Sequence, residues 1–224
     1  MDVTRILRTI ETYQRNFMRH RPPKVLGRMN LTQPGILAID MFFPSKLLGW
    51  RKMNCLACMD TWSRFCRVYA LEHKDYESTK RTMDGFLREF ASFGFLPRRI
   101  LADKGTDLPQ RQARLIMELY REPRDGNEPL VINSATGHSI LVVENMNAQI
   151  QRRLAVFRTS GLTDDPSTGL NEICSQLNNQ KRPRRGNLTP IQLLSLSPTE
   201  RAQVNQKYKQ DFLVSAATEA GLKP

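Results

Sequence analysis

Gly35-Ile36-Leu37-Ala38-Ile39-Asp40-Met41-Phe42-Phe43 is an apolar run with a single carboxylate at its centre. Its length and composition predict a buried strand. An ionised Asp buried without a partner is strongly destabilising, so Asp40 requires a cation, strong donors or a cleft at the strand's edge. The fold turns on which of these the rest of the chain supplies.

Downstream of this strand, Met53 to Asp60 and Arg64 to Leu71 are strand-like runs joined at Thr61-Trp62-Ser63. They predict a hairpin that continues the sheet. Asp60 reads as a structural turn residue that bonds the hairpin backbone. Cys55-x-x-Cys58 has the spacing of a metal clip, but in a strand positions three apart point to opposite faces, so both are expected in the core. Ser78 can cap a helix running to about Phe93. Met83, Phe86, Leu87 and Phe90 form its apolar stripe, and Gly94 lies just past its end. These aromatics read as core and not as a base-stacking platform.

Arg99-Ile100-Leu101-Ala102 predicts a short strand that stops at Asp103-Lys104-Gly105-Thr106-Asp107. A helix from about Pro109 to Tyr120 follows, then a short strand, Leu130 to Asn133. A flexible loop, Ser134 to Ser139, leads into a long helix that begins near Val142 and carries Glu144. Further helices are expected from about Gly169 to Asn179, from Pro190 and from Pro198, with a basic irregular stretch from Lys181 to Gly186 between them. Ahead of the first strand, residues 2 to 20 pattern as an amphipathic helix with Ile6, Ile10, Tyr13 and Phe17 on one face, ended by Arg21-Pro22-Pro23-Lys24. The order is a three-stranded meander, then helix, strand, helix, strand, helix. This predicts a mixed α/β sheet flanked by helices. The boundaries expected are a basic helical arm over 1–30, a core over 31–196 and a helical tail over 197–224.

The 224 residues contain 34 Lys and Arg against 22 Asp and Glu, a net charge of +12. That excess favours a polyanionic partner, with nucleic acid first. No run is long and apolar enough to span a bilayer, and the opening residues lack a signal-peptide core, so a nuclear or cytoplasmic location is expected, an organelle being the lesser reading.

Asp40, Asp103 and Glu144 are far apart in sequence and must meet by folding. Three converging carboxylates repel one another unless divalent cations neutralise them, and hard oxygen ligands suit Mg2+ or Mn2+. Two such ions can activate an attacking oxygen and stabilise the leaving oxygen of an in-line phosphodiester displacement.

At these positions the chain resembles the integrase core of retroviruses, long-terminal-repeat retrotransposons and, most closely, the Maverick/Polinton transposons. The matching pieces are Ile39-Asp40-Met41-Phe42, Met59-Asp60-Thr61-Trp62-Ser63-Arg64-Phe65, Asp103-Lys104-Gly105-Thr106-Asp107 and Val142-Val143-Glu144-Asn145-Met146-Asn147. Asn187-Leu188-Thr189-Pro190-Ile191-Gln192 is similar to the segment that closes such cores. The resemblance covers about Gln33 to Leu194. It implies an RNase H-like fold, a DDE strand-transfer enzyme in which Asp40, Asp103 and Glu144 hold two ions, double-stranded DNA as partner, and a multimer that holds two DNA ends. Lys104, His138, Asn147, Gln151, Arg152 and the basic run Lys181, Arg182, Arg184 and Arg185 are the candidate DNA contacts. The basic run reads equally as a nuclear-import signal or a solvated loop.

The chain departs from the family in three places. Ile10 and Tyr13 stand where the family's zinc module has cysteines, so no structural zinc is expected. Ala148 and Gln151 stand where retroviral members place basic residues, with Arg152 nearer than Arg153 to the Glu144 face. Residues 198 to 224 pattern as a helix and a frayed end, so no chromodomain or SH3-like tail is expected after the core. Two functions therefore compete, a DNA integrase or transposase and a domesticated, non-catalytic nucleic-acid-binding scaffold.

Overall fold

Alternation along β1, Ile36–Phe42, sorts its side chains onto two sides of a sheet, Leu37 and Ile39 onto one and Ala38 and Phe42 onto the other. The computed structural model describes residues 33–44, 53–71, 73, 75–103, 132–135, 141–159 and 165–219. The expected N-terminal helix and the helix near Pro109 lie outside these residues. β2, Asn54–Asp60, pairs antiparallel with β1, and β3, Cys66–Leu71, pairs antiparallel with β2. β4, Arg99–Asp103, and β5, Ile132–Ala135, extend the other edge as parallel strands, giving the order β3-β2-β1-β4-β5. The sheet is the predicted meander plus two short strands.

Helix α1, Tyr76–Ser92, covers one face with Met83, Phe86, Leu87 and Phe90 buried against Leu37, Ile39 and Ile100. Helices α2, Leu141–Thr159, and α3, Pro166–Asn179, cover the other through Val143, Met146, Ile150, Leu154, Ile173 and Leu177. Cys55 belongs to this second core and Cys58 to the first, as strand geometry requires. All four cysteines are free and buried, and burial pushes the Cys55 thiol up to about 12. A thiol so placed stays protonated and packs as a small hydrophobe.

Several boundaries differ from expectation: β3 begins at Cys66 and not Arg64, β4 takes in Asp103, and three more have a plain local cause. α1 is capped by Asp75, not Ser78: the Asp75 carboxylate accepts the Ser78 N–H at 2.7 Å, where the helix dipole favours a negative charge. α3 starts three residues before Gly169, because Asp165 accepts the Ser167 and Thr168 N–H groups and Pro166 takes the first turn. β5 takes in Ser134 and Ala135, expected as loop, because they pair with Ala102 and Asp103 of β4. Partner strands, not local propensity, decide that extension.

The threonine-proline segment forms α4, Pro190–Leu194. A reciprocal capping box joins Thr189 and Gln192, and Leu193 and Leu194 are buried. α5, Pro198–Glu219, lies against the β2–β3 turn, where Asn205 accepts the Trp62 indole N–H at 2.9 Å.

Asp60 sits at the centre of that turn, fully buried. One carboxylate oxygen accepts the Gly35 N–H at 2.9 Å, and the other accepts the Ser63 N–H at 2.7 Å and the Ser63 hydroxyl at 2.6 Å. Burial pushes its carboxyl up, against the pull of these donors and of Arg64. The structural role expected of Asp60 is what these bonds describe. Removing the carboxylate strands two buried backbone N–H groups. Asp60→Ala is expected to lose about 2–4 kcal/mol of unfolding free energy, read from urea denaturation. A loss under about 1 kcal/mol would remove Asp60 from this role.

Candidate nucleic-acid-processing site

The carboxylates expected to converge are placed by two strands and one helix. Asp40 is in the middle of β1 and partly buried. β4 runs parallel to β1 with Ile39 opposite Ala102, so Asp103, the last residue of β4, stands one register position further, beside Asp40 in the backbone. The Asp103 side chain lies outside the described part. Glu144 is exposed in the first turn of α2.

Asn147 links the helix to the strand. It is three residues after Glu144, hence on the same side of α2, and its Nδ2 donates to Asp40 Oδ2 at 2.7 Å. Asn147 was expected to touch DNA. It is instead 5% exposed and turned inward, because the alternation of apolar residues on α2 buries Val143, Met146 and Ile150 and carries Asn147 to the sheet beside them. The bond answers the question posed by the buried run around Asp40: a strong donor meets the carboxylate. It also leaves Asn147 Oδ1 buried without a hydrogen-bond partner. Such an orphaned acceptor costs about 1–3 kcal/mol unless a donor or cation reaches it.

The oxygens that meet at Asp40, its own carboxylate and the carbonyl of the bonded Asn147, are hard ligands of the kind a divalent cation takes. Among the described residues no group of three His, Cys, Asp or Glu is assembled that could hold a metal.

The remaining candidates are dispersed. Gln151 is half-buried and Arg152 exposed on α2, whereas Arg153 bonds Gln176 of α3 and Gln180 just past its end, which keeps it off the Glu144 side as expected. Lys181 is exposed. Arg182 is half-buried, and Arg185, expected on a basic surface run, is 8% exposed with its guanidinium over the rings of Trp62 and Tyr208. The stretch is no solvated loop at that residue. It forms a short 3-10 turn, Pro183–Arg185, held by a bridge between Arg182 and Leu188, and this turns Arg185 inward. Lys104, His138 and the Arg184 side chain lie outside the described residues. Sequence reasoning named Asn147 but missed its bond to Asp40, and it passed over Arg64, whose positive φ of 70° at the hairpin carried no sequence signal.

The pairing of Asn147 with Asp40 has a pH signature. Asn147→Asp places two carboxylates within hydrogen-bond distance, so one must stay protonated and its pKa rises in the folded state. The stability tied to that proton is present at low pH and lost as pH rises through the raised pKa. The variant is expected to melt several degrees below wild type near pH 7 and to close most of that gap near pH 5. A gap that stays constant with pH would show that the two side chains do not share a field.

No protein family and no curated protein matches the chain. Among solved structures, the catalytic core domain of BIV integrase superposes with a TM-score of 0.53 at 16% identity, covering 71% of this chain and 93% of that one. No helix among the described residues is long and apolar enough to cross a membrane. The chain has the mixed α/β, RNase H-like fold of an integrase catalytic core.

Proposed function

We propose that the chain is a metal-dependent DNA integrase or transposase that processes DNA 3′ ends and joins them to target DNA. The observation that supports it best is the Asn147 side chain, which bonds Asp40 through Nδ2 and leaves Oδ1 buried and unpartnered one helical turn from Glu144. An unpartnered acceptor set beside a carboxylate is open to a cation.

In this reading Asp40, Asp103 and Glu144 hold two Mg2+ or Mn2+ ions. Ions held there would supply activation of the attacking oxygen and stabilisation of the leaving one. Asn147 orients Asp40, and the parallel pairing of β1 with β4 keeps the Asp40 and Asp103 backbones in step. Glu144 is exposed and free to approach from the helix. Water, or later a DNA 3′-hydroxyl, attacks phosphorus as the opposite P–O bond breaks, and no bond to the protein forms. Arg152, Lys181 and the overall charge of +12 attract the DNA backbone. With Ala148 and Gln151 in place of basic residues, contacts near the ions are weaker than in retroviral relatives. The motifs fit the integrases of Maverick/Polinton elements most closely, and the activity calls for a multimer holding two DNA ends.

The test is strand transfer into labelled duplex DNA with and without Mg2+ or Mn2+. Wild type is expected to join DNA only with the metal, and Asp40→Asn, Asp103→Asn and Glu144→Gln each to lose at least about 100-fold. Joining that survives Asp103→Asn would sink the assignment. DNA binding with neither joining nor a metal response would establish the non-catalytic scaffold in its place.

A further inference from the structure

On the α2–α3 side of the sheet, a cleft of about 490 Å3 opens between the β2–β3 turn, α2 and the Pro183–Arg185 turn. Arg64, Arg182 and Arg185 line it from three different segments, and Asn145, Gln149 and Tyr208 add polar groups over an apolar floor. Among the described residues no carboxylate lies within ion-pair distance of any of the three arginines. Asp60 attracts Arg64 and Arg185 from within the fold, but its oxygens are already committed to Gly35 and Ser63.

The three guanidiniums are only partly satisfied. Arg185 donates to Asn205 Oδ1 at 3.2 Å, and Arg182 donates through Nη2 to the Leu177 carbonyl at 3.3 Å. Arg182 Nε is buried with no partner, and the Arg64 guanidinium makes no hydrogen bond to the described residues. Burial, then repulsion from Arg185 and Arg182, lowers the Arg64 guanidinium to about 10. A cluster of like charges held together without a counter-charge destabilises the fold that holds it. Guanidinium forks match the oxygens of a phosphate in pairs, and a cleft of this volume is within the range of small-ligand sites.

We infer that this cleft is an anion site for a phosphate group, carried either by a free nucleotide or by a nucleic-acid strand, with Arg64, Arg182 and Arg185 as its ligands. The inference does not rest on the chemistry proposed at Asp40, since none of these three residues touches that carboxylate in the structure.

The experiment uses the full chain and its Arg64→Asn/Arg182→Gln variant. Asn tolerates the left-handed backbone at position 64, so the change removes charge without forcing the turn. Thermal unfolding is compared in about 10 mM phosphate, in the same concentration of a nucleoside 5′-monophosphate, and in chloride at matched ionic strength. Wild type is expected to gain about 3 °C or more over chloride, and the variant to gain nothing while melting no lower than wild type in chloride. The single variant Arg182→Gln, measured in parallel, should lose most of the gain on its own. Equal melting of wild type in phosphate and chloride would overturn the site. So would a variant that responds as wild type does, because the response would then belong to the basic surface at large. Fluorescence anisotropy with labelled duplex DNA identifies the source of the phosphate. Unchanged DNA affinity in the variant assigns the cleft to a free nucleotide, and a drop of about tenfold or more, with phosphate competing in wild type, assigns it to the DNA backbone.

Discussion

The fully buried Asp60 carboxylate is the constraint on which the sheet depends. It binds the entrance of β1 through the Gly35 N–H and the hairpin turn through Ser63. Gly35 in turn accepts the Arg98 N–H at 2.7 Å through its carbonyl, which brings in the start of β4. Thr61 adds two bonds to the Ile36 carbonyl, from its N–H and its hydroxyl. The start of two strands and the turn between two others are thus fixed by one side chain. Gly35 has a φ of 112°, and a Cβ there would stand 3.0 Å from the Leu96 carbonyl, so the junction admits little but glycine. Since strand register is all-or-none with respect to face, fixing these ends also fixes which side of the sheet receives Asp40.

From that side the helix α2 completes the arrangement. Its apolar residues anchor it to the sheet, and Asn147, among them, spends one end of its amide on Asp40. A buried polar side chain satisfied at one end only is rare in a protein core, and it marks a place where packing alone does not account for the residue. The helix places Glu144 one turn away at the exposed end of the same side. The site thus follows from an ordinary packing contact, with the chemistry at its margin.

The basic character of the chain has two destinations. Some charges face solvent, as Arg152 and Lys181 do, where a polyanion can meet them at low desolvation cost. Others are drawn inward around the hairpin. Arg185 stacks over Trp62 and Tyr208, Arg201 over Phe95, and Asn205 bonds both Trp62 and Arg185. α5 therefore meets the hairpin through Asn205, the Pro183–Arg185 turn through Tyr208 and the segment before β4 through Arg201, with cation–π contacts at the last two.

Much of this was legible from residue order alone. The strand around Asp40, the hairpin with its structural Asp60, the opposite facing of Cys55 and Cys58, the α1 stripe and the helices from Pro190 and Pro198 all follow from periodicities of two and 3.6 and from local turn and cap chemistry. These rules act between residues a few positions apart, so one sequence carries them. Cap placement slipped at Ser78 because Asp75 and Ser78 are both able caps, and the choice between them is settled by a carboxylate at the helix N-terminus. The extension of β5 to Ala135, the bond from Asn147 to Asp40 and the inward turn of Arg185 were not legible. Each is a contact between segments distant in sequence, satisfied by geometry that only the packed sheet and helices create. The residue types at the site were determined by the sequence; which of them face one another was decided by tertiary structure, because a side chain's partner is set by register and helix rotation and not by its own identity.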